Sequence, residues 1–256
     1  MSELAQASEA TTWHSRILRV TLSVEESAVF WQRAGPDETS AQLNVRAFEE
    51  RWYGSRSEER VRKLHEDFAA RYTYPGAREA LARWSSAGMP VEAQRIVAHW
   101  HLQLADPLYR LFTGTWLVER RGTGHATVDR DVVGRWLQDT LAGDYSAATR
   151  QMFAGKLLTA AGQAGLLTGG TTRALQFPTC PLEPLGYLLY LLRNVSIEGT
   201  SLDNPYLRSL EMVGPRLEAR LVEGQLAGWW RYARMGELVE FRWTWPDVVA
   251  WRQEAR

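Results

Sequence analysis

The stretch YSAATRQMFAGKLLTAAGQAGLLTGGTTRALQF, Tyr145–Phe177, carries three basic side chains and no acidic one. The gap in acids is wider still, from Asp144 to Glu183, in a chain that balances 30 basic against 30 acidic residues. Met152, Phe153, Leu157, Ala160 and Ala161 recur at helical spacing. Ser146 stands where an N-cap belongs, and Gly165 where a left-handed C-terminal cap belongs. Beyond that helix two short apolar runs flank Gly169–Gly170, the pattern of a β-hairpin. Upstream, VDRDVVGRWLQDTLAG predicts a preceding helix with Val132, Val133, Trp136, Leu137 and Leu141 on its apolar face. The short turn GDY joins the two. Helix, tight turn, helix and hairpin follow in the order of a winged helix-turn-helix.

Towards the N-terminus the spacing stays helical. Leu43, Ala47, Phe48 and Trp52 share one side of a first amphipathic segment, and Val61, Leu64, Phe68 and Tyr72 form the stripe of the next. Ser57 is placed to cap the second, with Glu58 and Glu59 in its positive first turn. Pro75 at an N1 position predicts a helix through Trp84, and segments from Pro90 to Leu104 and Pro107 to Glu119 complete a helical bundle. Towards the C-terminus PLEPLGYLLYLLRN and NPYLRSLEMVGPRLEARLVEGQ read as helices, with Pro215 as a break or a new start. WWRYARMGELVEFRWTW then alternates around Met235–Gly236–Glu237 as a second hairpin, with Trp230, Tyr232, Phe241, Trp243 and Trp245 on its faces. A short helix from Pro246 closes the chain. The expected fold is mainly α: a helical bundle over 1–121, a winged helix-turn-helix module over 122–195, and a second helix-plus-hairpin module over 196–256.

A chain of 256 residues with 45% hydrophobic and 23% charged residues has the composition of a globular protein with a substantial core. Zero formal net charge excludes a general polycation, so any nucleic-acid surface must be local. Cys180 is the single cysteine, which excludes an intrachain disulfide and points to a reducing compartment. MSELAQASEA lacks the basic start and apolar run of a signal peptide, and LGYLLYLLRNVSI, interrupted by Arg193 and Asn194, is too short to span a bilayer. The expectation is a cytoplasmic protein with no membrane partner.

No phosphate-loop, dinucleotide-binding or zinc-protease motif occurs. His99 and His101 in HWH are two residues apart and face different sides of a helix, which disfavours a shared metal. Cys180 has no histidine nearby to activate it. Paired acids such as Glu49–Glu50 and Glu58–Glu59 sit among arginines as solvated ion pairs. No enzyme, metal, cofactor or small-molecule substrate is expected. The acid-free stretch is the lead that remains. As the second helix of a winged module its N-terminus enters the DNA major groove, bringing Ser146, Thr149, Arg150 and Gln151 to the duplex. Lys156 reaches a phosphate, and Thr171, Thr172 and Arg173 lie on the wing. A carboxylate there would repel the polyanion. The competing explanation is that small residues pack there and the cations are merely solvated.

ATRQMFAGKLLTAAGQAGLLTGGTTRALQFPTCPLEPLGYLLYLL resembles the C-terminal core of the BrxA proteins of BREX phage-defence islands. The helical region from Phe30 to Trp84 is similar to that family's N-terminal part. The resemblance implies a non-catalytic, mostly helical component that binds double-stranded DNA beside other BREX proteins, with Ser146, Thr149, Arg150, Lys156 and Arg173 at the contact positions. The long extension after Asn194 departs from the family pattern. The alternative function is an interaction scaffold that assembles defence-complex subunits without touching DNA, for which exposed aromatics on the Trp230–Trp245 hairpin would speak.

Overall fold

A computed structural model describes residues 7–35, 38–236 and 238–255. The chain opens with β1 (Ala7–Ser8), then α1 (Arg16–Arg19), α2 (Val24–Arg33), α3 (Ser40–Glu49), α4 (Glu58–Tyr72), α5 (Ala77–Ser86) and α6 (Val91–Ala105). Next come α7 (Pro107–Leu111), a π-helical turn (Phe112–Trp116) and α8 (Leu117–Gly122). The middle holds β2 (Thr127–Val128), α9 (Arg130–Thr140), α10 (Ala147–Gln163), β3 (Arg173–Ala174) and α11 (Leu182–Leu192). The last part holds β4 (Val195–Ser196), α12 (Pro205–Ser209), α13 (Gly214–Leu226), β5 (Trp230–Met235), β6 (Leu238–Trp243) and α14 (Val248–Glu254). The mainly helical class is as expected.

Local chemistry sets most helix starts. Ser57 Oγ accepts from Arg60 N at 3.3 Å and Ser146 Oγ from Thr149 N at 3.2 Å, each relieving one orphan donor of the first turn. Thr39 and Gln42 form a reciprocal capping box on α3. Pro215 lies in the first turn of α13, so it starts a helix rather than breaking one. Pro75 does not begin α5. That role falls to Gly76 at φ +73°, whose added Cβ would sit 2.9 Å from both Val248 and Val249. Close approach of the α14 start demands glycine, and the helix begins one residue after it.

The centre is α6, in which Ala93 and every residue from Ile96 to Ala105 is buried. A helix covered on all sides must satisfy its polar side chains internally. His99 lies 2.9 Å from both the Tyr109 and Ser209 hydroxyls. His101 bridges the Arg71 carbonyl and the Tyr187 hydroxyl, each at 2.7 Å. Trp100 donates to the Tyr206 carbonyl at 3.0 Å, and Gln103 to Thr113 Oγ1 at 2.9 Å. The two histidines therefore do turn to different sides. Buried residues from Ile17 to Trp251 form one hydrophobic cluster, so no break in the core marks the boundaries expected at 121/122 and 195/196. β1 pairs in parallel with β4, Ala7 opposite Val195, tying the start of the described chain to the segment after α11.

The first expected hairpin is present as a short pairing: the runs flanking Gly169–Gly170 meet antiparallel at Leu167 and Leu175, with Gln176 N donating to the Leu166 carbonyl at 2.8 Å, and β3 also pairs antiparallel with β2, a strand inside what the sequence presents as a connecting loop. Ladder bonds run from Leu175 N to the Ala126 carbonyl at 3.0 Å and from Thr168 N to the Ala174 carbonyl at 2.9 Å. The second hairpin is present in register from Trp230 opposite Trp243 to Met235 opposite Leu238; Glu237 of its turn lies outside the described residues. Its Trp230 and Trp243 belong to an aromatic cluster with Tyr190, Trp229, Trp251 and Phe241 rather than to the surface.

Two predictions follow from this core. A Cβ on Gly186 would lie 2.7 Å from the rings of both Trp229 and Trp251, so Gly186→Ala should cost about 1–3 kcal/mol by overpacking, read by urea denaturation. Burial lowers His99 from 6.5 to about 3 and His101 to about 4, so the folded state binds fewer protons than the unfolded one. Their contribution is complete above 6.5 and is lost as pH falls towards 4. Buried Asp67 and Asp106, pushed upward by desolvation, act with the opposite sign above the usual carboxylate range. Unfolding free energy should fall on acidification from pH 6.5, and the slope should shrink in His99→Gln with His101→Gln.

Candidate nucleic-acid interface

The acid-free stretch folds into one unit with its upstream helix. Asp129 caps α9, its Oδ1 accepting from Val132 N at 2.8 Å, and Val133, Gly134 and Leu137 are buried against α10 and the core. The helices cross where α9 lacks a side chain: a Cβ on Gly134 would be 2.5 Å from Gln151 Nε2. α10 buries Phe153, Ala154, Leu157, Leu158, Ala160 and Ala161. It ends at Gly165, φ +79°, with Leu166 N returning to the Ala161 carbonyl at 2.9 Å. β2, the Leu167 bridge and β3 then lie side by side, and residues 169–172 form an exposed loop beyond them. Trp136 joins the unit to the π-helical turn by stacking on Trp116 at 5.2 Å, with Phe112 5.5 Å away.

The expected contact residues divide into three groups. Ser146, Gln151, Thr171 and Thr172 are exposed, while Thr149 is half-buried and reaches the cap through a 2.9 Å contact between its hydroxyl and that of Ser146. Gln151 presents its amide to Gly134, so it is a helix–helix contact as much as a surface residue. Arg150 is half-buried and donates from Nη1 to the Tyr145 carbonyl, across the first turn of its own helix. Arg173 is half-buried and donates from Nη1 to the Leu158 carbonyl at 2.9 Å, lying against Gly162, where a Cβ would be 2.8 Å from it. Lys156 is half-buried and makes no ion pair among the described residues.

These positions do not set Arg150, Lys156 and Arg173 on one side of α10, as contact with a single duplex face from all three would need. Arg150, Lys156 and Gly162, the residue against which Arg173 rests, are spaced by six, and six residues turn an α-helix to about 120° short of a second full turn. The three cations therefore occupy three sides of α10, about 120° apart. Arg150 and Arg173 are occupied with backbone carbonyls because each is half-buried beside an acceptor and no carboxylate is at hand. They hold the unit together.

The sequence reading missed Arg130. From the first turn of α9 its Nε and Nη2 donate to the Gln151 carbonyl at 3.1 and 2.9 Å, clamping the two helices. Arg130 stands between Asp129 and Asp131 in sequence, so nothing local singles it out as a clamp. Arg120, whose Nη2 donates to the Thr127 carbonyl at 3.1 Å, fixes β2 in the same way and stacks 5.0 Å from Trp116.

Chemistry other than binding finds little to work with here. Among the described residues no three of His, Cys, Asp and Glu come together as a metal site. Cys180 is buried, which pushes its thiol up to about 12 and away from nucleophilic use. No helix among the described residues is long and apolar enough to cross a membrane.

Arg173→Ala should destabilise the protein by about 1.5–3 kcal/mol, the worth of a charge-assisted hydrogen bond, and Arg173→Lys should recover only part because the planar fork is lost. Chemical denaturation of both variants checks this. An Arg173→Ala protein of unchanged stability would show that the guanidinium is free for a ligand.

No family model matches the chain, and no curated protein matches its sequence.

Proposed function

We propose that the chain is a non-catalytic double-stranded DNA-binding protein whose contact surface is the β2–α9–α10–β3 unit. One observation carries this reading. Among the described residues, no carboxylate lies within ion-pair distance of Arg130, Arg135, Arg150, Lys156 or Arg173, all the lysines and arginines from 122 to 192. Elsewhere many cations are paired with neighbours, as in Arg62–Glu66, Lys63–Glu59, Arg83–Glu79 and Arg220–Glu223, although Arg16, Arg51, Arg56 and Arg95 have no such pair among the described residues. Residues 145–182 carry Arg150, Lys156 and Arg173 and no carboxylate, and a stretch charged in that way suits a polyanion.

The order strand, helix, turn, helix, bridge and strand supports assignment of the unit as a winged helix-turn-helix, in which α10 enters the major groove by its N-terminal turn. Ser146, Ala147 and Ala148 are small and exposed there, so a phosphate can approach the free N–H groups of that turn. Thr171 and Thr172 lie on the wing loop. Arg135 and Lys156, which make no hydrogen bond to protein acceptors among the described residues, are the cations left for phosphates. Arg130, Arg150 and Arg173 position the unit. Asp144, exposed two residues before the cap, is the carboxylate nearest in sequence to this edge.

Together with the likeness of Ala148–Leu192 to the BrxA core, this reading makes the chain the DNA-binding component of a BREX-type antiphage system, working in the cytoplasm beside other products of the island. The rival scaffold reading called for exposed aromatics on the C-terminal hairpin. Trp230 is buried and Tyr232, Phe241 and Trp243 are half-buried, so that surface does not support it.

Titration of random duplex at several salt concentrations tests the proposal. Arg135→Glu with Lys156→Glu should weaken binding and make the log–log salt slope shallower by about 1.8, the release expected from two phosphates. Asp144→Asn should tighten binding. Equal affinity and slope for the wild type and the folded double variant would overturn the reading.

A further inference from the structure

The C-terminal hairpin carries an arrangement that its own fold does not explain. One face, Trp230 and Tyr232 with Trp243 and Phe241, turns towards the body, Trp230 donating to the Leu221 carbonyl at 2.7 Å. On the other face Arg231 stands directly opposite Arg242, Ala233 opposite Glu240, and Met235 opposite Leu238. All six are exposed. Directly opposed side chains on an antiparallel pair have Cβ atoms about 5 Å apart, and like charges so placed repel. Glu240 relieves one of them, its carboxylate accepting from Arg242 Nη2 at 2.7 Å. Arg231 has no carboxylate partner among the described residues. On the inward face Arg234 is paired with Glu218 of α13.

Two arginines at directly opposed positions can present guanidinium forks to one shared oxyanion. They border a concavity of about 1010 Å³ whose other walls include Gln225, Gly228, Thr244 and Glu240, the carboxylate an oxyanion would displace from Arg242. At the tip Met235 and Leu238 are 77% and 71% exposed. A two-stranded ribbon fits a groove of duplex DNA, and methionine and leucine are side chains that minor-groove proteins press between base steps. Cation pair, open concavity and apolar tip lie along one ribbon in the order that backbone, groove wall and base edge would meet them.

We propose that the hairpin is a second duplex-contacting element: Arg231 and Arg242 take one backbone phosphate, and Met235 and Leu238 enter the adjoining groove. This rests on the DNA-binding reading of the α10 unit and adds to it an independent arm of the same interface. The six side chains are exposed, so their replacement leaves the packed face intact.

The experiment is anisotropy titration of a labelled random duplex with the full chain and four proteins: wild type, Arg231→Ala with Arg242→Ala, Met235→Ser with Leu238→Ser, and the Arg135/Lys156 double variant. The arginine pair should lose affinity severalfold with a salt slope shallower by about 0.9, one phosphate. The tip pair should lose affinity severalfold with the slope unchanged, because apolar contacts release no counterions. Wild-type binding that falls in the Arg135/Lys156 variant but is untouched in both hairpin variants overturns the hairpin inference alone. No duplex binding by the wild type overturns the α10 reading and this one with it. A tip variant that changes sedimentation from a dimer to a monomer while binding duplex as before would make the face a contact between copies, and would equally overturn the proposal.

Discussion

The hydrogen bonds of α6 are the constraint on which the architecture depends. A helix enclosed on every side and bearing two histidines, a tryptophan and a glutamine needs partners for nearly all of these groups, since an unpaired buried group costs about 1–3 kcal/mol; Gln103 Oε1 is the one side-chain polar atom of these four left without one among the described residues. The partners come from distant parts of the chain: Arg71 in α4, Tyr109 in α7, Thr113 in the π-helical turn, Tyr187 in α11, and Tyr206 and Ser209 in α12. Each bond fixes the register of one element against the centre. The π-helical turn belongs to the same logic. It presents Gly114 to Pro205, where a Cβ would meet the proline Cβ at 2.6 Å, and so allows α12 to come close enough for Ser209 to reach His99. The N-terminal bundle and the C-terminal extension thus share one polar framework as well as one apolar core.

Arginine does different work in different parts of this molecule, and the difference follows from the acceptors available. Where carboxylates lie a helical turn away, guanidinium groups pair with them at the surface, as Arg83 does with Glu79 at 3.0 Å. Where backbone carbonyls lie nearer, they turn to those. Buried Arg71 bonds the carbonyls of Val20, Thr21 and Leu22 and pins the link between α1 and α2. Arg130, Arg150 and Arg173 do the same in the β2–α9–α10–β3 unit. A carbonyl satisfies the donor but leaves the charge uncancelled, so these groups still add to the potential outside the unit even though they touch no ligand. Position and field are separate contributions, and Arg135 and Lys156 make no hydrogen bond or ion pair to protein acceptors among the described residues.

Much of the fold was legible in the sequence because it rests on local rules. Ser57 and Ser146 cap, Gly165 ends a helix, and Pro107 and Pro215 stand in first turns for reasons contained within a few residues. The tryptophan-rich hairpin was equally visible from its alternation around Gly236. What escaped were features fixed across the chain. β2 is two residues long and exists because β3 arrives beside it; GHATV carries no strand signal of its own. Gly76 takes over from Pro75 because α14 lies against it. The site was legible as a segment and illegible as a surface. Helical spacing alone separates positions 150 and 156 by about 120°, which a residue-by-residue list of basic side chains conceals.

Burial accounts for part of the acid gap and not for the rest. Phe153, Ala154, Leu157, Leu158, Ala160, Ala161, Ala164, Leu166, Leu167, Leu175 and Cys180 are buried, and an acid at any of them would face desolvation worth several kcal/mol. At those positions absence needs no ligand to explain it. Ser146, Ala147, Ala148, Gln151, Met152, Thr159, Gln163, Thr171, Thr172, Gln176 and Thr179 are exposed, where an Asp or Glu costs almost nothing and is common elsewhere on this protein. Packing does not forbid carboxylates there. The argument for a polyanion therefore rests on these solvent-facing positions alone, and they trace the leading turn of α10, its outer side and the loop before β3. That is a narrower surface than the whole acid-free stretch, and Asp144, exposed two residues before the cap, borders it.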